Sequence, residues 1–265
     1  QNSQALQLDT ATGYGPRLLA PLLADLRAAA ADDGEKALVE QLANWQGDHP
    51  LDSQAATLFN QFVYELARTA MRDELGDNFF GSLLQTRVLD TALPRLAADA
   101  DSPWWDNRGT PHKESRADGV KAAWQASLAH LKKTLGDDPA AWNWGKAHTL
   151  THSHPLGQQK PLDLLFNVGP FPAPGGHEVP NNLSHRVGPA PWDVFYGPST
   201  RRLVDLADAE HALGINPLGQ SGVPFDRHYK DQAEAYIRGE YLPMHFSEED
   251  VKANSQGTLK LVPAG

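Results

Sequence analysis

The sequence has 265 residues, of which 40% are hydrophobic and 21% charged, a composition that suits a globular protein with a sizeable buried core. The formal net charge is −10 and no basic run occurs, so binding to the phosphate backbone of a nucleic acid is disfavoured. Cysteine is absent, which excludes disulfides, thiolate nucleophiles and cysteine-ligated zinc. No apolar run reaches the roughly 20 residues that a membrane-spanning helix needs, so no membrane span is predicted.

The first residues, Gln1, Asn2 and Ser3, include no initiator methionine, no basic segment and no apolar core of a signal peptide. We therefore expect the chain to begin inside a longer gene product or at a cleavage site. The sequence itself leaves the cellular location open.

Residues 1–140 are predicted to form a mainly helical region. Apolar residues recur at helical spacing, and Ser, Gly and Pro mark the expected ends of the helices. The first predicted helix follows Pro16 and has Leu18, Leu19, Leu22, Leu23 and Leu26 on one face. A second covers about Glu35–Trp45, and a third begins near Ser53. The last two cover about Ser82–Asp99 and Asp118–Leu135. Residues 101–111 are dense in helix-breaking residues and predict a loop.

Residues 141–265 are predicted to be the loop-rich and strand-rich part of the same α+β domain. Between 142 and 195, Pro, Gly, His and Asn are frequent and periodic apolar runs are few, which favours long loops with short strands. Alternation of Arg202, Val204 and Leu206 with their neighbours predicts a strand from residue 201 onwards. Ser247 is a candidate N-cap of a short helix, and residues 258–262 are predicted to form a final strand.

A glycine turn lies between that strand and the next predicted helix. Gly219 and Gly222 flank Gln220 and Ser221, and the two glycines could adopt positive φ. Asp226 is placed to cap a helix over about 227–238 that would stop at Gly239.

Ser221 is a candidate nucleophile, because Asp205 and His228 could complete a serine-hydrolase triad. A nucleophile elbow, however, needs a G-x-S-x-G motif between a strand and a helix, and Val223 stands at the last position. We therefore favour a structural turn, in which the polar side chains satisfy backbone groups.

Three histidines, His148, His152 and His154, lie close together in the sequence. Zinc ligation would need His148 and His152 on one face of a helix, but Pro155 and the threonines favour a strand or loop. The pattern also lacks the glutamate of an HExxH site. We therefore expect hydrogen-bonded structural histidines and no metal ligands.

Other polar and aromatic residues are interpreted as structural. Arg201 and Asp205 are assigned ion-pair or hydrogen-bond roles, and Asp231 and Gln232 are placed in the first turn of a helix. Core or loop packing is expected for Trp104, Trp105, Trp124, Trp142, Trp144 and Trp192. Asp99 and Asp101 are expected in a loop. A calcium loop at Asp99 is rejected, because Pro103 replaces the next ligand.

Several separate motifs together resemble the penicillin acylase (penicillin amidase) family, which includes penicillin, cephalosporin and acyl-homoserine-lactone acylases. They occur in the family's order and cover the last two-thirds of the chain clearly, whereas the first third matches weakly, at residues 6–9. The motifs are Trp104-Trp105-Asp106 with Thr110-Pro111 and Glu114, Trp142-x-Trp144-Gly145-x-x-His148, the run from Gly197 through Arg201 to Leu206, the turn at Gly219, His228-Tyr229-x-Asp231-Gln232, and the segment from Gly239 to Met244.

The resemblance implies an N-terminal-nucleophile (Ntn) hydrolase with a four-layer α-β-β-α core, of which this chain would supply the C-terminal half of the β chain. In that family a precursor cleaves itself, and the serine exposed at the new N-terminus is the nucleophile. No segment here matches that serine, the oxyanion asparagine or the arginine that follows it. No catalytic, cofactor-binding or metal residue is therefore assigned, and the family's calcium site is expected upstream.

The resemblance predicts an amidase that acts on an N-acyl β-lactam or N-acyl-homoserine lactone, with roles in antibiotic metabolism or quorum quenching. The chain alone is expected to be inactive, with the upstream half of the β chain and the α chain as partners, in the bacterial periplasm. A non-catalytic binding or scaffold module and a self-contained serine or metal hydrolase are the alternatives.

Overall fold

A computed structural model of the protein describes residues 2–263. The chain forms two compact units. The large unit consists of Leu8–Gly197, and the terminal unit consists of the described residues on either side of it.

The secondary structure is mixed, with the strands following most of the helices. The helices are α1 (Asn2–Gln7), α2 (Tyr14–Leu19), α3 (Leu23–Ala29), α4 (Asp33–Asn44), α5 (Gln54–Leu83), α6 (Leu89–Ala98), α7 (Arg116–Leu135), α8 (Trp144–Ala147), α9 (Asp163–Phe166), α10 (Ala233–Arg238) and α11 (Glu248–Asn254). The strands are β1 (His148–His152), β2 (Val168–Pro172), β3 (Ser184–His185), β4 (Trp192–Tyr196), β5 (Arg201–Leu203), β6 (Leu213–Ile215) and β7 (Leu242–Pro243). The predicted α+β class is confirmed. The division of the domain at residue 140 remains a prediction. The two compact units are instead divided before Leu8 and after Gly197.

Helix α5 begins near Ser53, as the sequence indicates, whereas α7 begins at Arg116, two residues before the predicted start at Asp118. The Ser53 hydroxyl accepts a hydrogen bond from the Ala56 amide at the start of α5. Ser115 and Asp118 form a reciprocal capping box at the start of α7, which Gly136 ends with φ 104°. These caps satisfy amide groups that would otherwise lack an intrahelical acceptor.

Helix α6 begins later than predicted. Its first residue is Leu89, and residues 84–88 form turns, in which the Thr86 hydroxyl donates to the Leu83 carbonyl and accepts from the Val88 amide. Pro94 lies within α6.

The core of the large unit lies between α5 and α7, which pack along each other. Phe62 and Leu66 on α5 are fully buried, as are Trp124 and Leu131 on α7. Each such side chain contributes roughly 1.5–3 kcal/mol by leaving water. Each of the two helices thus buries an apolar face, as the helical spacing of apolar residues predicts.

The large unit also contains a mixed four-stranded sheet with the order β2-β1-β4-β3. Strand β1 is antiparallel to β2 and parallel to β4, and β3 is antiparallel to β4. The register aligns His148 with Trp192 and His185 with Val194. The sheet therefore brings histidines from distant parts of the sequence close together.

The terminal unit contains an antiparallel sheet with the order β5-β6-β7. Strand β5 ends at Leu203, and both Val204 and Leu206 are exposed, so the predicted strand is shorter than the alternation suggested. Helix α10 ends at Gly239 in the left-handed conformation, as predicted.

Two predictions in this part of the chain are wrong. Helix α10 begins at Ala233, not Arg227, because the carbonyls of His228 and Tyr229 accept from the amides of Ser221 and Gly219. Residues 258–262 are exposed and form no strand. The predicted N-cap at Ser247 is correct, since its hydroxyl accepts from the Asp250 amide.

Across residues 2–263, none of the helices combines the length and the apolar composition required to cross a bilayer.

Candidate functional site

The glycine turn is held by close backbone contact. The Gly219 amide donates to the Tyr229 carbonyl and the Ser221 amide to the His228 carbonyl, at 3.2 and 3.0 Å. A Cβ on Gly219 would lie 1.7 Å from the His228 carbonyl oxygen. Neither Gly219 nor Gly222 has positive φ, so the expected reason for these glycines is wrong. Gly219 is required by the lack of space.

The structure does not assemble the candidate triad. The Ser221 hydroxyl accepts from the Val223 amide at 3.2 Å. The Nδ1 atom of His228 lies 2.6 Å from Asp231, and its Nε2 atom accepts from Arg227 at 2.9 Å. Asp205 accepts from the amide two residues ahead of it. Serine and imidazole are thus engaged separately, which supports the structural interpretation of this turn.

Arg201 does not pair with Asp205. Its guanidinium lies 4.1 Å from the centre of the Tyr236 ring and donates to the Tyr236 carbonyl at 2.8 Å. Arg201 is 4% exposed, whereas Asp205 is exposed. Gln232 accepts from the Asn216 amide at 3.0 Å. All of these contacts stabilise the fold of the terminal unit.

The three clustered histidines have separate surroundings. His148 is buried, and its Nδ1 lies 2.8 Å from the Ala173 carbonyl. His152 is half-buried near Phe171, and His154 accepts from the Leu156 amide, where it caps a turn. They do not bring three ligand atoms within 4.8 Å of one another. His148 and His154 are thus hydrogen-bonded within the fold.

A buried cluster of imidazole and indole rings lies beside β1 and β4. His148 stacks on Trp144, and His49 and His185 meet the same indole edge to face, with ring centroids 5.2 and 5.4 Å apart. His148 and His185 are themselves 5.2 Å apart, and Trp192 closes the cluster 5.3 Å from Trp144. The cluster has no carboxylate among its members.

Burial keeps these imidazoles neutral. Desolvation lowers the pKa of His49 and of His148 to about 4, against the opposing effect of their hydrogen bonds to backbone carbonyls. The pKa of His185 lies well below its usual value, mainly because of desolvation and, to a smaller extent, because of the charges of the neighbouring histidines. The sequence drew attention to His148 alone, because His49 and His185 join the cluster only through tertiary packing.

A second polar group contains the carboxylates of Asp90 and Glu178 and the imidazole of His177. Their ligand atoms lie within 4.8 Å of one another, a spacing that could hold a metal ion. His177 also connects Asp90 to Ser184, at 2.9 and 3.3 Å. This series resembles a catalytic triad, but Ser184 is 5% exposed and is therefore shielded from a substrate.

An open apolar groove of about 440 Å³ lies between α5 and α6. It is lined by Met71, Leu75, Phe79, Leu83, Val88, Ala92, Arg95, Leu96, Asp99, Ser102 and Trp104. Phe79 and Val88 are more than half exposed. The lining contains no imidazole and offers mainly apolar contact.

The chain is similar to known acylases. It is 28% identical to the acyl-homoserine lactone acylase QuiP of Pseudomonas aeruginosa, with 85% of this chain and 29% of the relative covered. It is 25% identical to the penicillin acylase 2 proenzyme of a Pseudomonas species, with 99% of this chain and 34% of the relative covered. The chain thus spans about a third of the length of these curated relatives.

The fold is similar to that of the thermostable penicillin G acylase from Alcaligenes faecalis. The TM-score is 0.54 at 19% sequence identity, with 97% of this chain and 48% of that chain covered. The family model for penicillin amidase matches residues 1–253, which includes the first third, where the sequence motifs are weak. With this match over nearly its whole length, the chain belongs to the penicillin amidase family.

Proposed function

We propose that this chain is the C-terminal part of the β chain of a penicillin-acylase-type amidase that hydrolyses the amide bond of an N-acyl substrate. The observation that carries the proposal is the continuous match of the penicillin amidase family to residues 1–253. The helices of the large unit and its mixed sheet would supply part of the Ntn-hydrolase core. The nucleophile would lie outside these 265 residues.

The geometry of the candidate serines supports a nucleophile from elsewhere. Ser221 bonds to a local amide, and His228 pairs with Asp231 and Arg227. Ser184 is buried, and its hydroxyl lies 3.3 Å from Nδ1 of His177. Each of these serines lacks either a free imidazole base or access for a substrate carbonyl, and a nucleophile requires both.

In the proposed reaction, one residue supplies both nucleophile and base. The hydroxyl of a serine at a newly exposed N-terminus attacks the amide carbonyl while its α-amine accepts the proton. Fixed hydrogen-bond donors stabilise the tetrahedral oxyanion, the amine leaves with a proton, and water then hydrolyses the acyl-enzyme. Residues 1–265 would hold the sheets that position these groups.

The proposed substrates are an N-acyl-homoserine lactone, with quorum quenching as the role, or an N-acyl β-lactam, with a role in antibiotic metabolism. The relatives are named for both classes, and the acyl-homoserine lactone acylase of Pseudomonas aeruginosa has the higher identity of the two compared. We therefore propose the N-acyl-homoserine lactone as the preferred substrate class.

The proposed partners are the α chain and the upstream half of the β chain, released from one precursor in the periplasm. The similarity to a proenzyme supports processing from a precursor. The family's calcium site is proposed to lie in the upstream half. The isolated chain would be inactive.

The test is expression of the full-length gene with and without mutation of the serine at the processing site. The mature protein should release homoserine lactone from an N-acyl-homoserine lactone, and the serine variant should remain unprocessed and inactive. N-terminal sequencing should show serine at the start of the β chain. Amide hydrolysis by residues 1–265 alone would refute the assignment of the nucleophile to the upstream part.

A further inference from the structure

A group of potential metal ligands lies where the first turn of α6 meets the loop before β3. Asp90 belongs to α6, whereas His177 and Glu178 are adjacent in the loop. Nε2 of His177 is 2.9 Å from a carboxylate oxygen of Asp90, and one ligand atom from each of the three residues lies within 4.8 Å of the others. The proposed amidase chemistry uses none of these residues.

The loop that carries two of the ligands is anchored on both sides. Before them, the Gly175 amide donates to the His49 carbonyl and the Gly175 carbonyl accepts from the Trp144 indole, both at 2.9 Å. After them, the Asn181 amide donates to the Asp9 carbonyl at 2.8 Å. The positions of His177 and Glu178 are therefore set before any ion binds, which lowers the entropy lost on binding.

Glu178 has an unusual backbone conformation that affects the direction of its side chain. Its φ is 61°, a left-handed value that costs free energy in a residue other than glycine. In extended backbone, adjacent side chains point to opposite sides. The left-handed turn at Glu178 instead brings its carboxylate to the same side as the His177 imidazole, toward Asp90.

The charges around the group favour a cation. Arg87 contacts Glu178 and lies 3.4 Å from Asp90, but its side chain is 64% exposed. Within 4.0 Å, the two carboxylates meet the single guanidinium of Arg87, while Arg17 and Arg95 line a pocket together with Asp90. The Nδ1 atom of His177 lies 3.3 Å from the Ser184 hydroxyl, which orients the ring with Nε2 toward Asp90.

We propose that Asp90, His177 and Glu178 bind one divalent cation of the zinc class, which displaces Arg87 toward solvent. One imidazole nitrogen and two carboxylate oxygens suit zinc, with water in the fourth position. Calcium takes six to eight oxygen ligands and fits this set less well. The ion would join α6 to the loop before β3. This proposal departs from the expectation that the chain holds no metal.

The test uses the full-length protein, stripped of metal with a chelator and titrated with zinc chloride by calorimetry. Wild type should bind one more zinc ion per chain than Glu178→Gln or His177→Ala, or bind it at least about tenfold more tightly. Arg87→Ala should bind zinc more tightly than wild type, because the competing positive charge is removed. Zinc should also raise the thermal unfolding midpoint of the wild type more than that of Glu178→Gln.

The matched control is His245→Ala. His245 lies 2.7 Å from Asp250, a histidine–aspartate pair that belongs to no three-ligand group among the described residues. Zinc binding should be unchanged in this variant. Glu178→Gln is a conservative change at a partly exposed side chain, and circular dichroism would verify its fold.

Equal zinc binding by wild type and Glu178→Gln would overturn the proposal, as would weaker binding by Arg87→Ala. Tighter binding of calcium than of zinc at this site would overturn the assignment of the zinc class. None of these readouts depends on amidase activity, so the result is independent of the proposed function.

Discussion

The imidazole of His148 stacks on the indole of Trp144, with ring centroids 4.5 Å apart and ring planes at 20°. Both side chains are fully buried, and the Trp144 indole donates to the Gly175 carbonyl at 2.9 Å. His185 lies 5.2 Å from His148, and its Nδ1 atom has no hydrogen-bond partner within residues 2–263. A cluster with these surroundings is stable only while its imidazoles are neutral.

Acidification is therefore expected to destabilise the large unit. The folded-state pKa values of His49 and His148, about 4, lie below the value of about 6.5 for an unfolded histidine. Their contribution to stability is complete above pH 6.5 and falls as the pH drops from 6.5 toward 4, because the unfolded chain binds protons first. Each contributes about 3 kcal/mol over this range. Urea unfolding followed by tryptophan fluorescence at several pH values measures the loss.

His148→Gln should reduce the pH dependence of the unfolding free energy. His211→Gln should preserve the loss of stability on acidification. His211 is fully exposed, and its hydrogen bond to Asp208 raises its pKa, so its titration has the opposite sign. An unfolding free energy that stays constant between pH 6.5 and 4 would contradict the role given to the buried cluster.

Gly219→Ala is expected to destabilise the terminal unit by about 2 kcal/mol or more. The new Cβ would meet the His228 carbonyl oxygen at 1.7 Å and an Asp231 carboxylate oxygen at 2.6 Å. Gly222→Ala is the matched control, since its Cβ would meet nothing within 4 Å. Limited proteolysis and hydrogen exchange over residues 213–239 should distinguish the two variants. Equal protection in both would show that the turn rearranges easily.

Ser221→Ala and His228→Ala should leave the proposed amidase activity of the full-length protein nearly unchanged. Their polar atoms bond to local groups and not to each other. We expect kcat/KM for an N-acyl-homoserine lactone to stay within about threefold of wild type, since removing a catalytic nucleophile costs several orders of magnitude. A loss of that size in a correctly folded variant would support the self-contained serine hydrolase instead.

Ser115→Ala should destabilise the large unit by about 1 kcal/mol, because it removes the capping box at the start of α7. Ser102→Ala is the control, because Ser102 precedes a 3₁₀ turn and makes no side-chain cap hydrogen bond. Thermal unfolding of the two variants provides the comparison. A smaller effect for Ser115 than for Ser102 would mean that the cap contributes little here.

Local signals predicted the long helices well. Apolar periodicity predicted both α5 and α7, with the start of α5 near Ser53 and the end of α7 at Leu135, because such signals act within a few residues; the cap at Ser115 was not predicted. The same signals failed at the start of α10, because the carbonyls of His228 and Tyr229 bond to the distant amides of Ser221 and Gly219. They failed again at 258–262, because a strand needs hydrogen bonds to a neighbouring strand that the sequence cannot specify.

The candidate sites were harder to predict. The sequence suggested Ser221 with His228 and Asp205, yet short-range bonds engage these groups separately. It did not reveal the group of Asp90 and His177, which are far apart in the chain and meet only where α6 contacts the loop before β3. Their hydrogen bond is visible only in the folded protein.

The sequence alone determined the α+β class, the long helices and the resemblance to the penicillin amidase family, because periodicity and ordered motifs are local properties of the chain. Tertiary structure alone decided which imidazoles are buried against Trp144 and which acidic groups surround His177. The physical reason is that burial and ligand spacing depend on contacts between residues distant in sequence, and those contacts form only when helices and sheet pack together.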